Sequence, residues 1–190
     1  MQIASIKLKR VLFSNINASL EDVEEYYVDS DESLKAYFVP GHEPGVALAR
    51  FIGYTKTELD DELKMRKETL DRMCSLEILS AIEARFRIDY LLRCQDKMKD
   101  GLSRQFREIP KQKENRASLA NDIIPTWRAA YPEHKARLDN LGKALDFRHW
   151  LAHGRYWQPI RTPHVRRYDY LSIYTLALDI LSNMDLKQCA

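Results

Sequence analysis

The residue types best suited to chemistry crowd one short stretch, Asp146-Phe-Arg148-His149-Trp-Leu-Ala-His153-Gly-Arg155-Tyr156-Trp157. An imidazole titrates near neutrality and can take or give a proton. A guanidinium offers fixed donors to a phosphate or a carboxylate. Arg148 falls on a line of apolar positions, Leu138, Leu141, Leu145 and Ala152. A cation facing a core needs a partner there, because an unpaired buried charge is very costly. Glu83 is the candidate: it interrupts a second apolar stripe, Leu76, Leu79, Phe86 and Tyr90, with Ile78 and Ile82 beside it. Arg148 therefore reads either as one half of a structural ion pair or as an anion site. The two are compatible if Glu83 orients an arginine that also meets phosphate. His153 lies five residues further on, roughly 140° around an ideal helix, so the two side chains would border one pocket from adjacent sides. His153 also fits a plain helix C-terminal cap, where the dipole favours a cation.

His149 and His153 are four residues apart and share a helix face with Asp146. Two imidazoles and a carboxylate can bind a metal, which makes a metal-dependent hydrolase a rival reading. The spacing is short and unspecific, and no further ligand lies nearby in sequence, so neither a metal nor another cofactor is expected. Arg155, Tyr156 and Trp157 follow at once, and Arg161, Arg166 and Arg167 continue a run with no acid in it. Arginines among aromatic rings suit unstacked RNA bases and their phosphates. Trp157 is expected instead to fold back onto the protein. Nucleophile elbows, P-loops and dinucleotide fingerprints are absent. The cysteines, Cys74, Cys94 and Cys189, are odd in number and match no zinc or redox spacing, and the first two read as reduced core residues.

These residues need helices to position them. Gly and Pro are scarce, at 6 and 7 in 190 residues, which favours helices over a strand-rich sandwich. Thr55-Lys-Thr-Glu58 reads as a capping box, and no Gly or Pro follows until Gly101. That predicts one long helix, or two with a bend near Ser75. Residues 101–120 are polar and basic and read as a loop with one helical turn. A short helix is expected over Ile123–Ala130. Pro132 suits the first turn of another helix, which Gly154 would stop. A last helix from about Tyr168 to Met184, rich in Leu and Ile on more than one face, is expected to be central to the core. The sum is an all-α bundle of about four main helices over residues 55–190. Residues 1–54 read as a less regular N-terminal arm: Ile6 and Leu8 suggest a short strand, Asn17 a cap for a short acidic helix through Tyr26 or Tyr27, and Pro40–Pro44 a loop.

Composition is that of a globular chain, 45% hydrophobic and 31% charged, with a net charge of only +2. Charge distribution says more: Glu21, Asp22, Glu24, Glu25, Asp29, Asp31 and Glu32 crowd an early stretch, and the arginines of 155–167 a late one. No signal peptide or membrane span is evident, so a cytoplasmic location and no membrane contact are the expectations.

The run Arg148-His149-Trp-Leu-Ala-His153-Gly154 closely resembles the signature of the HEPN superfamily: an Arg, usually a polar residue after it, and a His four to six residues beyond. Here four residues intervene, His149 fills the polar slot, and the Ala-His-Gly ending is typical. Its place late in a helical bundle, with one helix to follow, also fits. The resemblance covers about Thr55 to the C-terminus and leaves residues 1–54 unmatched. It implies an all-α bundle, commonly paired so that two Arg/His motifs line one cleft. Many such domains are metal-independent endoribonucleases of toxin–antitoxin, phage-defence and CRISPR systems, and others are non-catalytic RNA-binding or scaffold modules. The implied expectation is a homodimeric RNA-cleaving enzyme with Arg148 as phosphate clamp and His153 as acid/base. His149 and Glu83 would support them, and Arg155, Tyr156, Arg161, Arg166 and Arg167 would contact RNA. Products would end in a 2′,3′-cyclic phosphate and a 5′-hydroxyl, and an antitoxin or defence-system protein is a further expected partner. Some HEPN toxins carry a modified Tyr two residues after the motif histidine. Arg155 holds that place here, and that regulation is not carried over.

Overall fold

In the computed structural model, which describes residues 10–14, 16–38, 50–109 and 117–189, every regular element is helical. The helices are α1 (Leu20–Phe38), α2 (Lys56–Gln95), α3 (Gly101–Phe106), α4 (Ile124–Ala130), α5 (Lys135–Ala152) and α6 (Tyr170–Asn183). Four have fourteen residues or more, and α3 and α4 are short. No helix among the described residues is long and apolar enough to cross a membrane. The expected strand at Ile6 and Leu8 and the loop at Pro40–Pro44 lie outside the described residues.

The long α2 is unbroken through Ser75, which is fully buried. It starts at the expected Thr55 box: the Thr55 hydroxyl accepts from the Glu58 amide, and the Glu58 carboxylate accepts from the Thr55 amide. Its buried positions include Cys74, Ile78, Leu79, Ile82, Phe86, Tyr90 and Cys94, against which α5 and α6 pack. Burial pushes both the Cys74 and the Cys94 thiol up to about 11, so neither is poised as a thiolate.

Three sequence expectations need correction. The cap of α1 is Ser19, not Asn17: the Ser19 hydroxyl accepts from the Asp22 amide at 3.0 Å, and Asp22 accepts from the Ser19 amide at 3.3 Å. From there α1 runs to Phe38, well past Tyr27, and its Leu20 and Val23 belong to the main core. Tyr27 stacks on Tyr170 of α6 with centroids 3.6 Å apart and donates to Asp71 of α2 at 2.8 Å. On α5 the buried line is Leu138, Leu141, Ala144 and Phe147. Leu145 is only half-buried and Ala152 is exposed, so Arg148 borders the buried face rather than sitting on it. And α6 buries one face only, Tyr170, Ile173, Ala177 and Ile180, leaving Leu171 and Leu178 in solvent.

One buried polar group ties the bundle together. Asp89, fully buried on α2, accepts from Arg93 Nε at 2.7 Å, from the Trp127 indole at 3.1 Å and from the Lys187 amide at 2.8 Å. The Arg93 guanidinium also reaches Asp100 and the Asp185 carbonyl. This network joins α2 to α3, α4 and the C-terminal segment with its polar atoms satisfied, the condition under which burying charge is tolerable.

Candidate functional site at the end of α5

The site grows from how α5 stops. Gly154 takes φ +74° and Arg155 φ +59°. The Gly154 amide donates to Leu151 O and the Arg155 amide to Trp150 O, both at 3.0 Å. This is a Schellman motif, for which glycine supplies the left-handed residue. It reverses the chain tightly and leaves His153 at the C-cap, exposed, with Arg155 and Tyr156 projecting beyond it.

Arg148 and Glu83 meet as expected, at 3.2 Å between Nη2 and Oε2. Glu83 also binds Arg87 through its other oxygen at 2.8 Å. One carboxylate thus serves two guanidiniums, and the cluster keeps one net positive charge. The Arg148 side chain retains 33% exposure although its Nε is buried without a partner. A guanidinium so held has donors in reserve at the surface for an anion.

The imidazoles lie on the other side of the helix end. The His149 and His153 rings are 4.3 Å apart, and Trp157 approaches them at 5.7 and 6.2 Å. Trp157 does fold back onto the helix end: its ring meets the two imidazoles, and its main-chain carbonyl accepts from the Trp150 indole at 3.0 Å. Tyr156, by contrast, is 83% exposed. So the structure pairs Arg148 with Glu83 and His153 with His149, and the two pairs share only the helix end.

Asp146 turns away from the histidines' chemistry. It is bound by His164 Nε2 at 3.0 Å. No group of three or more His, Cys, Asp or Glu side chains among the described residues could hold a metal ion. The Asp146, His149 and His153 set considered from sequence is therefore not assembled. The His164–Asp146 contact spans eighteen residues of sequence and has no sequence signal.

Of the basic run, Arg155, Arg161, Arg166 and Arg167 are all exposed. Arg161 lines a cleft of about 410 Å³ with Asp146, His149, Trp157 and Thr162. Arg155 and Arg166 line a second one of about 340 Å³ on a neighbouring side of α5, with Phe147, Trp150 and Tyr168. Arg166 is steadied by the Gln158 side chain. A larger cavity between α1 and α2, about 650 Å³, is lined by Tyr26, Leu34, Tyr37, Leu70 and Met73 and lies apart from these residues.

Comparison with known proteins finds no matching family model, no matching curated protein and no matching solved structure.

Proposed function

We propose that the chain is a HEPN-type bundle acting as a metal-independent endoribonuclease, with its working site formed when two copies bring their helix ends together. The observation that carries this reading is one helix end that presents a cation with spare donors, Arg148 on Glu83, on one side and two exposed imidazoles, His149 and His153, on another. RNA supplies its own nucleophile. A neutral imidazole takes the 2′-hydroxyl proton as the 2′-oxygen bonds to phosphorus. The bond from phosphorus to the 5′-oxygen breaks, and an imidazolium protonates that leaving oxygen. Arg148 stabilises the charge on the phosphoryl oxygens. His153 of one copy is the acid/base, and the second proton-transfer group comes from the other copy. A toxin or phage-defence setting, with an antitoxin-like partner, belongs to the same proposal.

A second reading is a non-catalytic module that binds RNA or protein. Its support is the pairing of Arg148 with Glu83, which suffices for a structural role.

Cleavage in EDTA separates them. Wild type is expected to cut single-stranded RNA to 2′,3′-cyclic phosphate and 5′-hydroxyl ends. Arg148→Ala and His153→Ala should each lose at least about a hundredfold, the scale of a general acid/base or an oxyanion donor. Products ending in 3′-hydroxyl, or full activity in His153→Ala, would overturn the nuclease reading.

A further inference from the structure

The cleft of about 340 Å³ beside the end of α5 is not explained by the chemistry above. One wall is aromatic: Phe147 lies between Trp150 and Tyr168, at centroid distances of 6.3 and 5.4 Å and a tilt of 29° to each. The rim carries Arg155 and Arg166, neither of which has a carboxylate partner among the described residues. Further charged groups line it: Asp71 on α2, one oxygen of which accepts from Tyr27, the α6 cap Asp169, one oxygen of which accepts from Ser172, and the Glu68–Arg72 ion pair of α2. At the floor lies Ser75, fully buried, its hydroxyl without a hydrogen-bond partner among the described residues. The volume lies within the range of small-ligand sites.

Each surface selects one part of a ligand. Two guanidiniums without a carboxylate partner suit a phosphate. Flat rings suit a nucleobase. Carboxylate acceptors suit the amino and hydroxyl donors of a base and its ribose. We infer that this cleft is a nucleotide subsite, taking one unpaired nucleotide of an RNA strand.

Its position gives the subsite a use. Around α5, His153 falls between His149, which lines the 410 Å³ cleft, and Trp150, which lines the 340 Å³ cleft. A strand seated in both would carry its backbone across His153, with the nucleotides on either side held apart and unstacked. Cleavage would then require unpaired nucleotides flanking the cut. This use rests on the ribonuclease reading; the binding itself does not.

The test is calorimetric titration of the full chain in EDTA with adenosine 5′-monophosphate, with inorganic phosphate, and with a non-cleavable 2′-deoxy oligonucleotide. Saturable binding of the nucleotide is expected, tighter than phosphate and displaced by the oligonucleotide. Arg155→Ala and Arg166→Ala should each weaken it about tenfold, the loss of one charge-assisted contact. Tyr168→Phe should bind as wild type and Tyr168→Leu more weakly. Thermal melts identify a variant that has lost its fold, and Arg104→Ala, exposed on α3, is the control for charge alone. No saturable nucleotide binding, phosphate binding as tightly as the nucleotide, or affinity unchanged in both arginine variants would overturn the subsite. Binding that the oligonucleotide fails to displace would overturn its assignment to an RNA strand in favour of a free nucleotide. RNA cleavage without nucleotide binding leaves the nuclease reading standing and removes this one; nucleotide binding without cleavage does the reverse.

Discussion

Glu83 is the residue on which the site's behaviour turns, because it holds Arg148 with one oxygen and Arg87 with the other. Glu83→Gln removes the countercharge while keeping the shape. Two guanidiniums would then repel, and the net positive charge at the helix end would rise by one. RNA binding is expected to tighten at low salt and to show a steeper salt dependence. Cleavage should fall about tenfold as Arg148 loses its orientation. A purely structural glutamate would change stability without steepening the salt slope, so filter binding at several salt concentrations distinguishes the roles. Arg148→Lys should rescue little, since an ammonium cannot span Glu83 and a phosphate with fixed donors. Asp89 is the contrasting case, a carboxylate whose work is structural. Asp89→Ala leaves Arg93 buried and unpaired and should cost about 3–5 kcal/mol in urea unfolding.

At the scale of elements, the stop of α5 and the start of α6 shape everything around the histidines. Gly154→Ala places a β-carbon on a residue at φ +74°. No neighbouring atom obstructs it, so the cost is conformational, about 1 kcal/mol. A thermal melt measures that cost, and an accompanying fall in cleavage would show that the turn itself positions His153. Asp169 begins α6 by accepting from the Ser172 amide at 2.8 Å, with the Ser172 hydroxyl accepting in return from the Asp169 amide. Asp169→Ala should cost about 1 kcal/mol. The same helix shows how an apolar run can mislead. Leucines on two faces suggested a central helix, yet only the face toward α1, α2 and α5 is covered, and Leu171 is 67% exposed.

The whole molecule has an acid-sensitive set of anchors. Hydrogen bonds from Ser172 hold the Asp169 carboxyl below its ordinary range. Backbone and hydroxyl donors at Thr55 do the same for Glu58. For Asp31, burial pushes the other way but is outweighed by Lys35 and Lys67, and Asp100 is likewise lowered by Ser103 and Arg93 against burial. A carboxyl lowered in the folded state contributes stability above its unfolded value, and loses it as pH falls through the folded one. Stability should therefore decline below about pH 4, the unfolded carboxylate range, as the caps of α2, α3 and α6 and the α1–α2 ion pair Asp31–Lys67 are protonated. Asp89 runs counter to this set: burial raises it, so its contribution is greatest at low pH and is lost as pH rises through its folded value. Circular dichroism against pH checks the trend, and Asp169→Asn should flatten the acid limb.

What the sequence determined by itself was local. The Thr55 box, the Gly154 stop, the helix over 124–130 and the all-helical character follow from caps, glycines and periodicity, which act within a few residues. The Arg148–Glu83 pair was legible as well, because a charge on each of two apolar stripes asks for a partner across the interface. The Ser19 cap was equally written in Ser19-Leu-Glu-Asp22, a box with aspartate in place of the usual glutamate. Tertiary structure decided the rest. Which line of α5 is buried depends on where α2 and α6 lie, and both candidate lines, through Leu145 or through Phe147, are apolar enough to serve. Asp146 met His164 rather than the histidines on its own helix because the segment after Gly154 folds back over α5. Whether Arg155 and Arg166 share a cleft with Trp150 and Tyr168 is likewise a matter of three segments converging. No spacing along the chain encodes that, because the distances that matter for chemistry are set by packing between elements.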